Sequence, residues 1–395
     1  MDNDERLNQQ LDEVVDDNNP RPKRKSQTTQ LIELSDPLTL FYDPDGNAYA
    51  EIPTAEHVVV WPVRSKAFRD WIANEYYLST LTGCSRNCLA DALNTIEARA
   101  RFGADCRAVW LRTAQEGDAL LIDLGDACWR YVKVTAAGWE IISDRSPVSF
   151  VRKRTMLPLP VPERGGSIDQ LWQFLNVSGP YRPLVIGWLL AALKPQGPYP
   201  VLIFQGESGT AKSTASRIMR KLTDPSTILL KGAPRDERDF AAVAVNGWVT
   251  AFDNLSGLQL WQSDAICRLS TGGGLSAREL YTNLDEIAID VQRPVILNGI
   301  DDIATQPDLA SRALIVALEP IPAEATWEEQ ELWEEFGREY PPILGPLFDR
   351  LVCALRNWED TLDFVDKFCP KLGFALLGTT RWVGRYLEPR CAMTC

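Results

Sequence analysis

Val201-Leu202-Ile203-Phe204-Gln205 is an uncharged run, and Gly206-Glu207-Ser208-Gly209-Thr210-Ala211-Lys212-Ser213-Thr214 follows it at once. Beyond it Ile218, Met219 and Leu222 fall on one face of a predicted helix. A buried strand, a glycine-containing turn and a new helix form the setting in which a phosphate-binding loop works. Gly206 and Gly209 let backbone amides turn inward around anionic oxygens. The helix points its positive end at them. Glu207, Ser208 and Thr210 complete the loop, and Thr214 continues into the helix. In that arrangement Lys212 reaches the β- and γ-phosphates of ATP, and the Ser213 hydroxyl ligates Mg²⁺. Ala211 stands where the pattern has glycine, which the loop tolerates if that residue keeps a negative φ. The bland alternative is a Gly/Ser-rich turn that happens to contain Lys-Ser.

Three further strand ends follow in order. Trp248-Val249-Thr250-Ala251-Phe252 delivers Asp253-Asn254, and an acid there would support Mg²⁺ through water. Asn254 sits where a second acid would orient the attacking water, and an amide cannot take a proton. Pro294-Val295-Ile296-Leu297 delivers Asn298-Gly299, which reads either as a plain turn or as an amide that senses the γ-phosphate and aligns water. Asp308-Leu309-Ala310-Ser311-Arg312 precedes the apolar run 313–318. Arg312 would either project into a neighbouring subunit's site or pair locally with Asp308. Between the acid and the Asn, residues 276–287 after Thr271-Gly272-Gly273-Gly274 read as a hairpin around Asn283–Asp285. Its Arg278 and Tyr281 could grip a nucleic-acid backbone and stack a base, or could simply face solvent.

The rest of the chain bounds these readings. Nine acids against five bases in residues 1–36 and thirteen against three in 319–366 more than account for the net charge of −13. A protein coating DNA with a basic surface is therefore excluded, whereas a narrow basic track is not. Nine scattered cysteines and the lone His57 argue against a zinc site or a histidine-based triad. With no long apolar run and an acidic N-terminus, a cytoplasmic, non-membrane protein is expected. Residues 1–36 read as a disordered acidic and basic tail, and 37–162 as an α+β module containing a meander. Residues 157–166 read as a Pro-rich linker, and Ile168–Leu193 as helical. Residues 167–320 read as a parallel α/β core, and 321–395 as an acidic helical segment with the character of a truncated lid.

Taken together, the loop 206–214, Asp253, the hairpin with Arg278, Asn298 and Arg312 resemble the motif order of superfamily III helicases. Those are AAA+-type P-loop ATPases that assemble as hexameric rings. The segments Pro234-Arg235-Asp236-Glu237-Arg238-Asp239 and Ala251-Phe252-Asp253-Asn254-Leu255-Ser256 also resemble ATP-binding proteins of prophages and integrative elements. The resemblance implies an ATPase with ATP and Mg²⁺ as cofactors, a homo-oligomeric ring, DNA as the substrate and replication proteins as partners. The competing expectation is a nucleotide-gated switch or loader with weak turnover and no translocation.

Overall fold

Ser26, Ser65 and Ser85 each have extended backbone and accept a hydrogen bond from the amide three residues on. Those caps start α1 (Gln27–Glu33), α2 (Lys66–Thr80) and α3 (Arg86–Gly103). The protein is described here by a computed structural model covering residues 25–54, 57–273, 275–278, 286–289, 291–300, 302–322, 324 and 327–357, with 275–278 and 286–289 as backbone. The chain divides into two compact units.

The first unit runs to Pro53 and resumes at Val59–Arg107. β1 (Thr39–Tyr42) and β2 (Ala48–Pro53) are antiparallel across the Asp43–Asn47 turn, where Asn47 N donates to Asp43 Oδ1 at 2.8 Å. β3 (Val58–Pro62) and β4 (Asp105–Cys106) extend this sheet in the order β3-β2-β1-β4. Its core is Leu31, Phe68, Ile72, Ala92 and Ile96, all fully buried. The expected tail 1–36 is thus corrected at its end: α1 is folded because Leu31 fills that core. Residues 1–24 lie outside the described residues.

The second unit takes Thr54–Val58 and everything from Ala108 on. β5 (Val109–Trp110) pairs with a later short strand, and β6 (Thr113–Glu116), β7 (Ala119–Asp123), β8 (Tyr131–Thr135) and β9 (Gly138–Ile142) form the expected antiparallel meander. β10 (Ser149–Phe150) is the partner of β5. Next come α4 (Arg182–Ala192), β11 (Val201–Gln205), α5 (Lys212–Thr223), α6 (Glu237–Asn246), β12 (Thr250–Leu255) and α7 (Leu260–Thr271). β13 (Leu275–Arg278) and β14 (Glu286–Ile289) pair antiparallel, and their turn lies outside the described residues. β15 (Val295–Gly299), α8 (Pro307–Arg312), β16 (Ala313–Ala317) and α9 (Glu329–Arg356) complete the unit. The central sheet is wholly parallel, in the order β12-β15-β11-β16.

The expected boundary near residue 162 is corrected. The meander belongs with the α/β core, because Leu120, Ile122 and Val132 share one apolar cluster with Leu202, Phe204, Ile218 and Phe348. Arg112 adds a polar clamp. Fully buried, it donates to Asp224 Oδ1 at 3.3 Å and to the carbonyls of Asp123, Leu157 and Pro225. Asp224 Oδ2 accepts from Trp248 N and Val249 N at 3.0 and 3.2 Å, so the buried carboxylate has its partners.

Residues 157–166 are not a free linker. Leu159 is buried and its amide donates to Leu124 O, while Glu163 N donates to Pro341 O at 3.0 Å. The last contact explains a second difference. The acidic segment expected to be helical holds three prolines, yet α9 runs unbroken through Pro341, Pro342 and Pro346. Prolines inside a helix leave carbonyls without intrahelical donors, and the 163–166 segment packs against that stretch. A Cβ on Gly345 would sit 1.7 Å from Glu163 O, and one on Gly166 would sit 2.0 Å from Pro342 O. Residues 168–193 also differ from one continuous helix. They form 3-10 turns at Ile168–Gln173 and Gly179–Tyr181 before α4, with Pro180 inside the second.

Candidate nucleotide site at the strand tips

The parallel sheet places the C-terminal tips of β11, β12 and β15 side by side, the position where ligands of open α/β sheets bind. Gly206 leaves β11 in a place only glycine fits, since a Cβ there would lie 2.5 Å from Leu318 O. Gly209 turns the loop at φ +82. Thr210 is buried and its hydroxyl donates to Glu207 O at 2.9 Å, closing the loop on itself. Glu207 and Ser208 remain exposed. Asn176 braces the loop from outside, its amide donating to Thr210 O at 3.3 Å and Glu319 O at 2.6 Å. Sequence reasoning passed over Asn176, which sits between two apolar residues with no motif around it.

Ala211 corrects the expectation of a negative φ. It adopts φ 62 and ψ 30, the left-handed region, immediately before α5. Such a conformation costs a residue with a Cβ about 1–2 kcal/mol. No side chain caps α5, so its first amides stay available to an anion. Lys212 Nζ donates to Gly206 O at 2.8 Å and Glu207 O at 2.6 Å. Desolvation lowers the Lys212 pKa, and the nearby Asp253 charge opposes that shift. Ser213 Oγ donates to Asp253 Oδ1 at 2.7 Å, so the hydroxyl and acid singled out in the sequence, forty residues apart, are in contact.

β12 does not stop at Phe252 as the sequence suggests. It continues to Leu255 with a register shift against β15, and within the bulge Asn254 is left-handed at φ 56. Asn254 N donates to Asn298 Oδ1 at 3.0 Å, and Asn298 Nδ2 donates to Ser216 Oγ at 2.8 Å. Asn298 is buried inside β15, which corrects the turn reading of Asn298-Gly299. Gly299 serves close approach instead: a Cβ on it would meet Leu255 O at 2.2 Å.

Arg312 ends α8 and donates to Asp308 O at 3.0 Å, while its guanidinium pairs with Asp308 Oδ1 at 2.7 Å. That is the local pairing foreseen as one of its two roles. Arg278 is placed by its backbone, at the β13 end of the hairpin opposite Glu286, and Tyr281 lies outside the described residues. Among the described residues there is no cluster of three His, Cys, Asp or Glu side chains able to hold a metal ion. No helix among them is long and apolar enough to cross a membrane.

Residues 168–363 match the family of actinomycete integrative conjugative element replication proteins. Among solved structures, an apo structure of the C-terminal region of NrS-1 matches this chain at low identity. That match has a TM-score of 0.46 and 12% identity, covering 82% of this chain and 69% of that one. SCCmec type IV Cch, described as an active helicase, matches with a TM-score of 0.42 and 13% identity over 84% of this chain and 64% of that one. JCV helicase matches at 0.33 and 8%, over 50% and 60%. No curated protein matches the sequence.

Proposed function

We propose that the chain binds ATP with Mg²⁺ at the tips of β11 and β12 and hydrolyses it as an oligomeric, helicase-like motor on DNA during replication of a mobile element. The contact of Ser213 with Asp253, beside Lys212 at the open start of α5, carries this reading. A hydroxyl and a carboxylate oxygen are the hard donors that Mg²⁺ takes. The ion would neutralise charge on the β- and γ-phosphates. The amides of 209–213 would cradle the phosphates, with Lys212 leaving the loop carbonyls to pair with them. The match to replication proteins of integrative elements over 168–363 supports the setting. Arg312 would act on a neighbouring subunit's site, which requires it to leave Asp308. Arg278 and Tyr281 would meet DNA.

A second reading has one observation in its favour. Asn254 is exposed and neutral next to Asp253, so no second acid stands there to accept a proton. On that reading the chain is a nucleotide-gated switch or loader with weak turnover. Measuring ATP hydrolysis with and without single-stranded DNA, alongside mass photometry with and without ATP, separates the two. A motor shows DNA-stimulated turnover that Lys212→Ala and Arg278→Ala abolish, and ATP-dependent rings. ATP binding by a stable monomer, without DNA stimulation, leaves the switch.

A further inference from the structure

Ser216 lies on α5, one turn beyond Ser213, and is fully buried. A buried serine inside a helix ordinarily returns its hydroxyl to a carbonyl one turn back. Here the hydroxyl oxygen accepts from Asn298 Nδ2 at 2.8 Å. The other end of that amide is committed as well. Asn254 N can only donate, so the atom facing it at 3.0 Å is Asn298 Oδ1. The two bonds fix the plane of the Asn298 side chain from both sides.

What they hold is the bulge in β12. Between Phe252 and Leu255 the ladder to β15 shifts register, and the Asn254 amide takes a side-chain acceptor in place of a ladder carbonyl. Asp253, the residue just before it, is held on its other side by Asp253 N donating to Lys231 O at 2.8 Å. Its carboxylate is then aimed at Ser213. Without the Ser216 anchor, the Asn298 side chain keeps only its bond from Asn254 N.

We propose that Ser216 is a positioning residue of the nucleotide site, holding Asn298, and through it the bulge that presents Asp253 beside Ser213. The proposal rests on the ATP and Mg²⁺ reading above. Its test is titration of the full chain with a fluorescent ATP analogue, with and without Mg²⁺, together with thermal melts. The proteins are wild type, Ser216→Ala, Asn298→Ala, the double variant and Lys212→Ala.

Ser216→Ala should keep its Mg²⁺-free affinity within about two-fold and lose about 10-fold of the gain that Mg²⁺ confers, the scale of one hydrogen bond. The double variant should be no worse than Asn298→Ala alone, because Ser216 acts only through that amide. An unchanged Mg²⁺ gain in Ser216→Ala, or losses that add in the double variant, overturns the proposal. Should Ser216→Ala unfold, Ser216→Cys keeps a similar volume with a weaker hydrogen bond and is read the same way. Wild-type protein that binds no ATP at all overturns the functional reading itself, a pattern distinct from either result.

Discussion

At the tips of β11 and β12 each functional group sits within a few residues of the turn that presents it. On the side where the meander meets α9 and α5, the decisive contacts join residues 112 and 210 apart, Arg112 with Asp224 and Trp139 with Asp349. The first region combines tight turns with contacts at middle range, Ser213 with Asp253, Asn254 with Asn298 and Asn298 with Ser216, and is the proposed ligand site. The second is held by desolvated partners and close backbone approach, and only makes the scaffold rigid. Substitutions should therefore split cleanly: changes on the meander side cost stability and spare binding, and changes at the tips do the reverse.

Arg112→Met is the severest way to break that division. It strips Asp224 of a buried partner and takes a donor from the carbonyls of Asp123, Leu157 and Pro225, the last of which keeps Leu157 N, at a cost of about 3–5 kcal/mol. Urea unfolding measures it. A loss under about 1 kcal/mol would mean the clamp contributes little beyond its packing.

Gly345→Ala comes next. Its Cβ would meet a backbone carbonyl at 1.7 Å, where no side chain can swing aside, and about 3 kcal/mol is expected, the upper range of overpacking penalties. Gly337, on the same helix with nothing within 4 Å, supplies the control. Gly337→Ala should instead stabilise by about 0.5–1 kcal/mol through helix propensity. Thermal melts of the two variants should move in opposite directions.

These two positions also mark what could be read from the sequence. The loop 206–214 and Asp253 were legible because strand, turn and helix follow one another within a single short window. The meander strands were legible for the same reason. Arg112, Asp224 and Asn176 were not, since a buried ion pair or a bracing amide depends on a partner that local pattern does not name. Three prolines disfavour a helix through this stretch, and the packing of 163–166 against them, which the sequence does not name, shows why α9 continues. Asn298-Gly299 is a turn signal by composition, yet it lies inside β15 because close approach to Leu255 needs the glycine.

Lys212→Ala tests the other side of the comparison. Lys212 bonds only to atoms of its own loop, so unfolding should barely change. ATP affinity should fall by about 2–3 kcal/mol, roughly 100-fold, the range of a charge-assisted contact. Equilibrium titration and a melt on the same sample check both halves. A large loss of stability with binding retained would reverse the assignment of the two regions.

The smallest effect is expected at Ala211, and it is the most discriminating. A glycine there relieves the left-handed strain at φ 62, worth about 1–2 kcal/mol, against about 0.4–1 kcal/mol of added freedom in the unfolded chain. Ala211→Gly should thus stabilise by about 0.5–1 kcal/mol, while ATP affinity stays within about two-fold because a glycine holds the same left-handed backbone without strain. The strained alanine would then be a residue the loop tolerates. If the variant gains stability but loses turnover at saturating ATP, the strain itself holds the loop in its working shape. A variant less stable than wild type would show that Ala211 is not left-handed in solution, which guanidinium or urea unfolding on matched samples resolves directly.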